Sequence, residues 1–504
     1  MAATGPCKCL IGGQWAEAQT DRFGEVWNPS TGEVIARTPL CAEEDVHRAV
    51  QAAQKAFPAW WDTPASDRAR VMFRFHDLLE RNGDEIARLI SREHGKTFAE
   101  SQASVQRGVE MIEFACGLPS LLMGETIENI APEVDSETIR HPLGVVAGIT
   151  PSNFPAMVPL WMYPIAITCG NCFILKPSPR VPLSAVRVGE LLLEAGLPQG
   201  VFSIVHGDKT CVDALLSHPD VKAISFVGST PVARYIHQTG TANGKRVQAA
   251  GGAKNHMIVM PDAEMEPTIR AMLHSAFGCA GERCMAGSLA VPVGDVADEL
   301  VERFCQEAGK IRVGRTDLPD APVDMGPLIT RPHLDRVRGY IDTAEREGAQ
   351  IVLDGRKVNV ADSPEGFFVG PTVIDRVQPE MTVARKEIFG PVLPFVRVKT
   401  LDEAIALGEC CQYANGAVIF TNSGPAARRF KRDFNAGMIG VNVGVPAPMA
   451  WFPFTGWKGS FFGDLHIQAK EGMTFYTQQR MIMTRWFEPA QLDKHDPVWR
   501  PGKS

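Results

Sequence analysis

In the segment Phe277-Gly-Cys-Ala-Gly-Glu-Arg-Cys284-Met-Ala286 one thiol, Cys284, follows directly on a Gly-Glu-Arg turn. A guanidinium beside a thiol favours the ionised form, and only the thiolate is a strong nucleophile. With Arg283 as neighbour, Cys284 suits covalent catalysis. The competing reading is a small buried hydrophobe, the commoner fate of one cysteine among twelve.

Four further segments offer groups that could act with it. Asn153 stands in Thr150-Pro-Ser-Asn-Phe-Pro155, where its amide could donate to a developing oxyanion or merely satisfy its own turn. Lys176 ends the apolar run Cys172-Phe-Ile-Leu-Lys176, and could meet a ribose or phosphate or simply be solvated. In Gly228-Ser-Thr-Pro-Val-Ala233, Ser229 or Thr230 caps a helix whose free N–H groups suit a pyrophosphate, although the full GxGxxG fingerprint is absent. Glu387, in Lys386-Glu-Ile-Phe-Gly-Pro391, could hold sugar hydroxyls or be a plain surface carboxylate. Arg107 lies opposite the face formed by Val105, Val109 and Ile112, and a functional role would require a partner anion. The histidines show no HxxxH or similar ligand spacing, so no catalytic metal is expected.

These residues need a scaffold, and from about residue 143 the pattern supplies one. Strands are predicted at Gly144–Ile149, Cys172–Lys176, Val201–Val205 and Val221–Val227. Helices are predicted at Pro182–Ala195, Lys209–Ser217 and after Gly228, with a Pro-rich turn and an apolar helix running up to Gly170. Repeated βα units imply an α/β fold with a doubly wound parallel sheet. A second such region begins near Ile258, with helical stretches at Val296–Glu307 and Arg331–Glu347 and strand-like stretches at Gln350–Leu353 and Val392–Val398. The first 120 residues read as mainly helical after a short β start, Met473–Trp486 reads as an extended strand able to cross to another subunit, and the tail beyond it as irregular.

The bulk properties narrow the class. A chain of 504 residues has room for two or three domains. A net charge of −7 with no Lys/Arg block argues against a nucleic-acid partner. The cysteine usage fits a reducing compartment. The opening residues show neither a signal-peptide core nor an Arg-rich presequence, so a cytoplasmic location is expected. The apolar run Ile149–Leu175 is interrupted by Pro151, Pro155, Pro159 and Pro164 and reads as buried core rather than a membrane span.

Taken together and in order, Pro-Ser-Asn153-Phe-Pro, Lys176-Pro-Ser, Phe226-Val-Gly-Ser229-Thr, Gly281-Glu-Arg-Cys284 and Glu387-Ile-Phe-Gly-Pro resemble the aldehyde dehydrogenase superfamily over nearly the whole chain. Met157-Val-Pro-Leu-Trp-Met-Tyr-Pro, Gly252-Ala-Lys-Asn-His-Met and Val445-Pro-Ala-Pro-Met449 look like its CoA-acylating methylmalonate-semialdehyde dehydrogenase branch. The resemblance implies a Rossmann-like cofactor domain from 1–124 and 144–256, a catalytic domain at 257–445, and β oligomerisation segments at 125–143 and 464–487. It implies Cys284 as nucleophile and Asn153 as oxyanion donor. It implies cofactor contacts from Thr150, Ser152, Lys176, Arg180, Ser229 and Glu387, and a substrate carboxylate held by Arg107 and Arg283. The implied cofactor is NAD, the co-substrate CoA, and the assembly a homotetramer built as a dimer of dimers.

One absence and two departures qualify what the resemblance implies. Hydrolytic relatives place a general-base Glu four residues before the Lys of their Glu-Leu-Gly-Gly-Lys motif, and here, counting from Lys254, that position is Ala250. Without a carboxylate there to activate water, a thioester on Cys284 would wait for a better nucleophile such as a CoA thiol. The branch usually has Glu where Pro179 stands, and with Arg180 adjacent NADP use is left open. It often has an aromatic residue where Ser152 stands, so a stacking wall is missing. Two alternatives are a CoA-independent hydrolytic dehydrogenase and a silent family member with a binding or structural role.

Overall fold

The structure, a computed structural model, describes residues 5–318 and 322–486. The expectations made for the first four residues and for the tail beyond Trp486, including the last position of the 464–487 segment, lie outside the described residues.

The first sheet is built from the runs that read as buried strands. Five strands pair in parallel in the order Phe202–Ile204, Cys172–Lys176, Val145–Ile149, Val221–Val227 and Arg246–Ala250. Cys9–Ile11 with Gln14–Ala16 closes one edge and Phe461–Phe462 the other, making eight strands with antiparallel borders. Val145–Ile149 and Cys172–Lys176 are buried along their whole length, as near-continuous apolar runs covered on both faces must be. The helices Leu183–Glu194, Lys209–Ser217 and Thr230–Ala242 supply crossovers. The chain enters at the central strand, winds outward one way, then returns to wind the other. Its direction therefore reverses between Val145–Ile149 and Val221–Val227, and the crevice beyond their carboxyl ends is where doubly wound sheets take ligands. The loops Thr150–Asn153 and Gly228–Ser229 lie at those two ends.

The second sheet is parallel throughout, in the order Gly287–Pro292, Asn255–Val259, Gly416–Phe420, Met438–Val441. It has its own apolar core, in which Ile258, Leu289, Ile419 and Phe430 are fully buried. The Phe98–Cys116 helix packs on the first core and is fixed at its start by a reciprocal capping box between Thr97 and Glu100. A small antiparallel sheet joins Thr126–Ala131, Val134–Pro142 and Thr477–Arg485, and leaves Ile127, Ile130, Met481 and Met483 exposed. Among the described residues, no helix is long and apolar enough to cross a membrane.

Three expectations need correction. The apolar stretch after Ile149 is two short helices, Met157–Leu160 and Tyr163–Thr168, rather than one; Pro164 has no N–H to donate to the Leu160 carbonyl across the join. The strand at Val392 stops at Pro394 for the same reason, and Phe395 and Val398 bridge to a different neighbour. The stretch from Met473 starts as the end of the helix Ala469–Phe475, because Ala469, Gly472, Met473 and Tyr476 at helical spacing bury one face; the strand begins at Thr477.

Candidate active site

The turn carrying Cys284 is held against its own preference. The helix Met265–Phe277 gives way to Gly278–Gly281, in which Cys279 and Ala280 both adopt φ of 51°. Left-handed backbone costs a non-glycine residue about 1–2 kcal/mol. Gly281 follows at φ 73°, where a Cβ would lie 2.3 Å from the Gly390 carbonyl oxygen. Neighbours hold the turn in place. The Cys284 carbonyl accepts from Asn255 Nδ2 at 2.9 Å and Asn415 Nδ2 at 3.0 Å, one from each of two adjacent strand starts of the second sheet. The Cys279 N–H donates to Glu100 Oε1 at 2.5 Å.

Two cavities meet at Cys284, which is the one residue common to their linings. The larger, about 530 Å³, is mostly apolar, with Met157, Trp161 and Phe454 in its wall and Arg107 and Arg283 facing it. The smaller, about 300 Å³, is the crevice at the winding reversal: Ser152, Asn153, Arg180, Ser229, Glu282 and Glu387 line it. Asn153 is buried beside the thiol, and its Nδ2 donates to the Glu282 carbonyl at 3.1 Å, leaving its second amide hydrogen uncommitted to that bond.

The crevice has the features a dinucleotide requires. Ser229 occupies the cap position of the Thr230–Ala242 helix, but its side chain makes no capping bond. The expected cap is therefore absent, and the first-turn N–H groups are left for an anion. Thr230 is committed elsewhere: its hydroxyl donates to the Gly459 carbonyl and accepts from the Gly252 N–H, both at 2.8 Å. Gly252 in turn leaves room for Glu387, whose Oε2 would lie 2.4 Å from a Cβ there. Glu387 Oε1 accepts from the Ala253 N–H at 2.9 Å, and burial pushes its carboxyl up to about 7.

The electrostatics at the thiol differ from the expectation for Arg283. Burial first, and the Glu387 carboxyl second, push the Cys284 thiol up to about 12. The Arg283 guanidinium is committed to other groups: Nε donates to Cys279 Sγ at 3.2 Å, Nη1 to the His274 carbonyl at 3.3 Å, and Nη2 lies 3.7 Å from Glu100. Arg107, 45% exposed, pairs with Glu110 at 2.8 Å and touches Met449 Sδ. Both arginines thus face one cavity, each already beside a glutamate.

Two of the expected cofactor residues are not brought to the crevice wall. Lys176 is buried with Nζ on the carbonyls of Pro177 (2.7 Å) and Gly207 (3.1 Å), and burial lowers its ammonium to about 8. Thr150 is buried next to it, its N–H on the Lys176 carbonyl. Pro179 only accepts from Thr38 Oγ1, while exposed Arg180 lines the crevice. His333, Arg336 and Phe389 also line it and were not singled out from the sequence, as were not Asn255 and Asn415. The polar residue opening the apolar strand Asn255–Val259 was the available signal, since a buried amide must find partners. Ala250, at the position of the missing base, is buried as the last residue of its strand, with its carbonyl accepting from the Gly228 N–H. Away from both cavities, His76, Asp77 and Glu80 cluster on the surface of the Ala65–Arg81 helix.

Comparison with known proteins agrees with this architecture. The aldehyde dehydrogenase family matches residues 15–482. Malonate-semialdehyde dehydrogenase 1 of Geobacillus thermodenitrificans (strain NG80-2) is 52% identical over 479 residues, covering 95% of this chain and 98% of the relative. A crystal structure of methylmalonate-semialdehyde dehydrogenase from Oceanimonas doudoroffii superposes with a TM-score of 0.95 at 51% identity, covering 97% of this chain and 99% of that one. A protein of Sinorhizobium meliloti 1021, solved with NAD bound and described as a candidate enzyme of the same name, gives 0.95 at 43% identity over 97% of this chain and 100% of that one. With its ordered motifs, its reversed-winding sheet and its thiol between two cavities, the chain belongs to the aldehyde dehydrogenase family.

Proposed function

We propose that the protein oxidises malonate semialdehyde and methylmalonate semialdehyde to acetyl-CoA and propionyl-CoA, with loss of CO2 and reduction of NAD. The observation that carries this reading is the position of Cys284 at the junction of the two cavities, with buried Ala250 where a water-activating carboxylate would stand. The relatives' names, and the NAD bound to one of the neighbours, support the substrate and cofactor.

In this reading the aldehyde enters the larger cavity and its carboxylate meets Arg107 and Arg283, for which bidentate guanidinium pairing is well suited. The Cys284 thiolate adds to the carbonyl carbon. Asn153 Nδ2 and the Cys284 N–H receive the oxyanion. Ser152, Arg180, Ser229 and Glu387 would hold the dinucleotide in the crevice, while Thr150 and Lys176, joined by a main-chain bond, lie behind its wall. When bound, the nicotinamide supplies the hydride acceptor that makes the step an oxidation. Cys284 then carries the carboxyacyl group as a thioester; its carboxylate leaves as CO2, the alpha carbon taking up a proton, and the CoA thiol attacks the remaining acetyl or propionyl thioester, with Cys284 leaving as thiolate. Arg180 beside Pro179 leaves a 2′-phosphate tolerable, so NADP is a second substrate for the crevice.

In the same reading the cofactor domain is 1–124 with 144–256 and the catalytic domain 257–445, and the small antiparallel sheet is the contact element of a homotetramer, a dimer of dimers. Its exposed Ile127, Ile130, Met481 and Met483 would be covered there. Small-molecule partners and a cytoplasmic location complete the reading.

A second reading is hydrolytic release, favoured by one observation: Glu387 and Glu282 face the same crevice as the thiol, with carboxyls pushed up to about 7 and about 8. The test is intact-mass analysis of the protein incubated with malonate semialdehyde and NAD in the absence of CoA. An acyl adduct mapped to Cys284 and discharged on adding CoA is expected. Absence of any adduct, with free acid accumulating, would support the hydrolytic reading instead.

A further inference from the structure

Cys279 and Ala280 sit in left-handed backbone immediately before Glu282, Arg283 and Cys284, so something outside the turn must hold it. One side chain reaches it from a distant element. Glu100 closes the capping box of the Phe98–Cys116 helix with Oε2, accepting from the Thr97 N–H at 3.1 Å. Its other oxygen, Oε1, accepts from the Cys279 N–H at 2.5 Å and lies 3.7 Å from Arg283 Nη2. Both oxygens are therefore used, and the carboxylate is only 14% exposed. Four residues earlier, buried Lys96 places its ammonium 3.4 Å from the centre of the Phe154 ring, next to Asn153. One connection between two helices thus touches both the turn of the thiol and the loop of the oxyanion donor.

We propose that Glu100 is a positioning residue for the Cys284 turn: its carboxylate clamps the main chain at Cys279 and steadies the Arg283 guanidinium, so that thiol and guanidinium face the same cavity. This rests on Cys284 being the nucleophile. The geometry also gives the role a signature that separates it from helix capping. Glycine at position 279 would adopt the observed φ without penalty, so a turn relieved in this way should depend less on its clamp.

The test uses the full chain and reads the rate of iodoacetamide modification at Cys284, assigned by peptide mass, and the single-turnover rate of nicotinamide reduction. Glu100→Ala should slow both by about a hundredfold, the scale of a 1 Å misplacement. Glu100→Gln, which keeps an acceptor oxygen and remains a capping-box residue, should recover alkylation to within a few-fold of wild type. Thr97→Ala should lower the melting temperature and leave alkylation unchanged. Cys279→Gly combined with Glu100→Ala should regain much of the lost alkylation rate but not the nicotinamide-reduction rate, because it also removes the sulfur that accepts from Arg283 Nε; it supplies the comparison if Glu100→Ala alone does not fold. Wild-type alkylation in Glu100→Ala, an equal loss in Thr97→Ala, or no recovery of alkylation with Cys279→Gly would overturn the inference. If instead Cys284→Ser retains turnover, the nucleophile assignment fails, whatever Glu100 does.

Discussion

At the scale of single residues, the thiol at the centre of the site is not poised by its neighbours in the way its local sequence suggests. Arg283 is adjacent in the chain, but its guanidinium is spent on Cys279, His274 and Glu100, and burial with Glu387 keeps Cys284 protonated near neutrality. Glu387→Gln removes one of the two causes, so the thiol should ionise at lower pH. The pH profile of iodoacetamide modification without cofactor should shift toward acid, and an unshifted profile would contradict the assignment. Glu387 also predicts a stability trend. Its carboxyl rises from the ordinary 4.5 to about 7 on folding, so its contribution is fully present below about 4.5 and is lost as pH rises through about 7. The melting temperature of Glu387→Gln relative to wild type should accordingly increase between pH 5 and pH 8, as read by scanning calorimetry. Most of these residues were singled out because chemistry dictates their type: a thiol, an amide and a carboxylate in short connecting segments between elements. Asn255, Asn415 and Glu100 were not. Asn255 had a local signal, an amide opening an apolar strand; Asn415 and Glu100 act on backbone groups 131 and 179 residues away, which no local pattern records.

At the scale of elements, close approach of backbones decides what can be changed. Gly281 combines φ of 73° with the Gly390 carbonyl oxygen 2.3 Å from any added Cβ, and backbone cannot step aside as a flexible side chain can. Gly281→Ala should cost at least about 2 kcal/mol, from left-handed backbone plus the contact, and should abolish Cys284 alkylation because Glu282–Cys284 must shift with it. A folded, fully reactive Gly281→Ala variant would show that the turn is not held as described. The four central strands of the first sheet and the helices Leu183–Glu194 and Lys209–Ser217 were legible to within a residue or two, since apolar runs buried on both faces have few alternatives; the border strands and Arg246–Ala250 were not placed. The Ala469–Phe475 helix was misread because Thr474-Phe-Tyr-Thr477 favours a strand on propensity alone, whereas burial of Ala469, Gly472 and Met473 against the first core prevails. The corrected boundary leaves the nine-residue strand Thr477–Arg485 fully paired with Val134–Pro142 and largely open to solvent beyond Thr477.

At the scale of the whole molecule, the small sheet shows its apolar face on the outside of a single chain. Met481 and Met483 are 62% and 59% exposed, two residues apart on one side of the strand. Met481→Lys with Met483→Lys should shift the proposed tetramer to smaller sedimenting species without unfolding the chain; unchanged sedimentation would contradict the proposed subunit contact. The wider arrangement separates the proposed duties: the first sheet borders the crevice assigned to the dinucleotide, the Cys284 turn leads into the second, and the Phe98–Cys116 helix lines the cavity assigned to the substrate with Arg107 and Glu100. The central claim is that a thioester on Cys284, with alanine at position 250, is discharged by CoA rather than by water. Nicotinamide reduction with malonate semialdehyde, followed with and without CoA and with NAD and NADP in parallel, tests it directly. Sustained turnover that requires CoA and yields acetyl-CoA is the predicted result; equal turnover without CoA, yielding free acid, would contradict it.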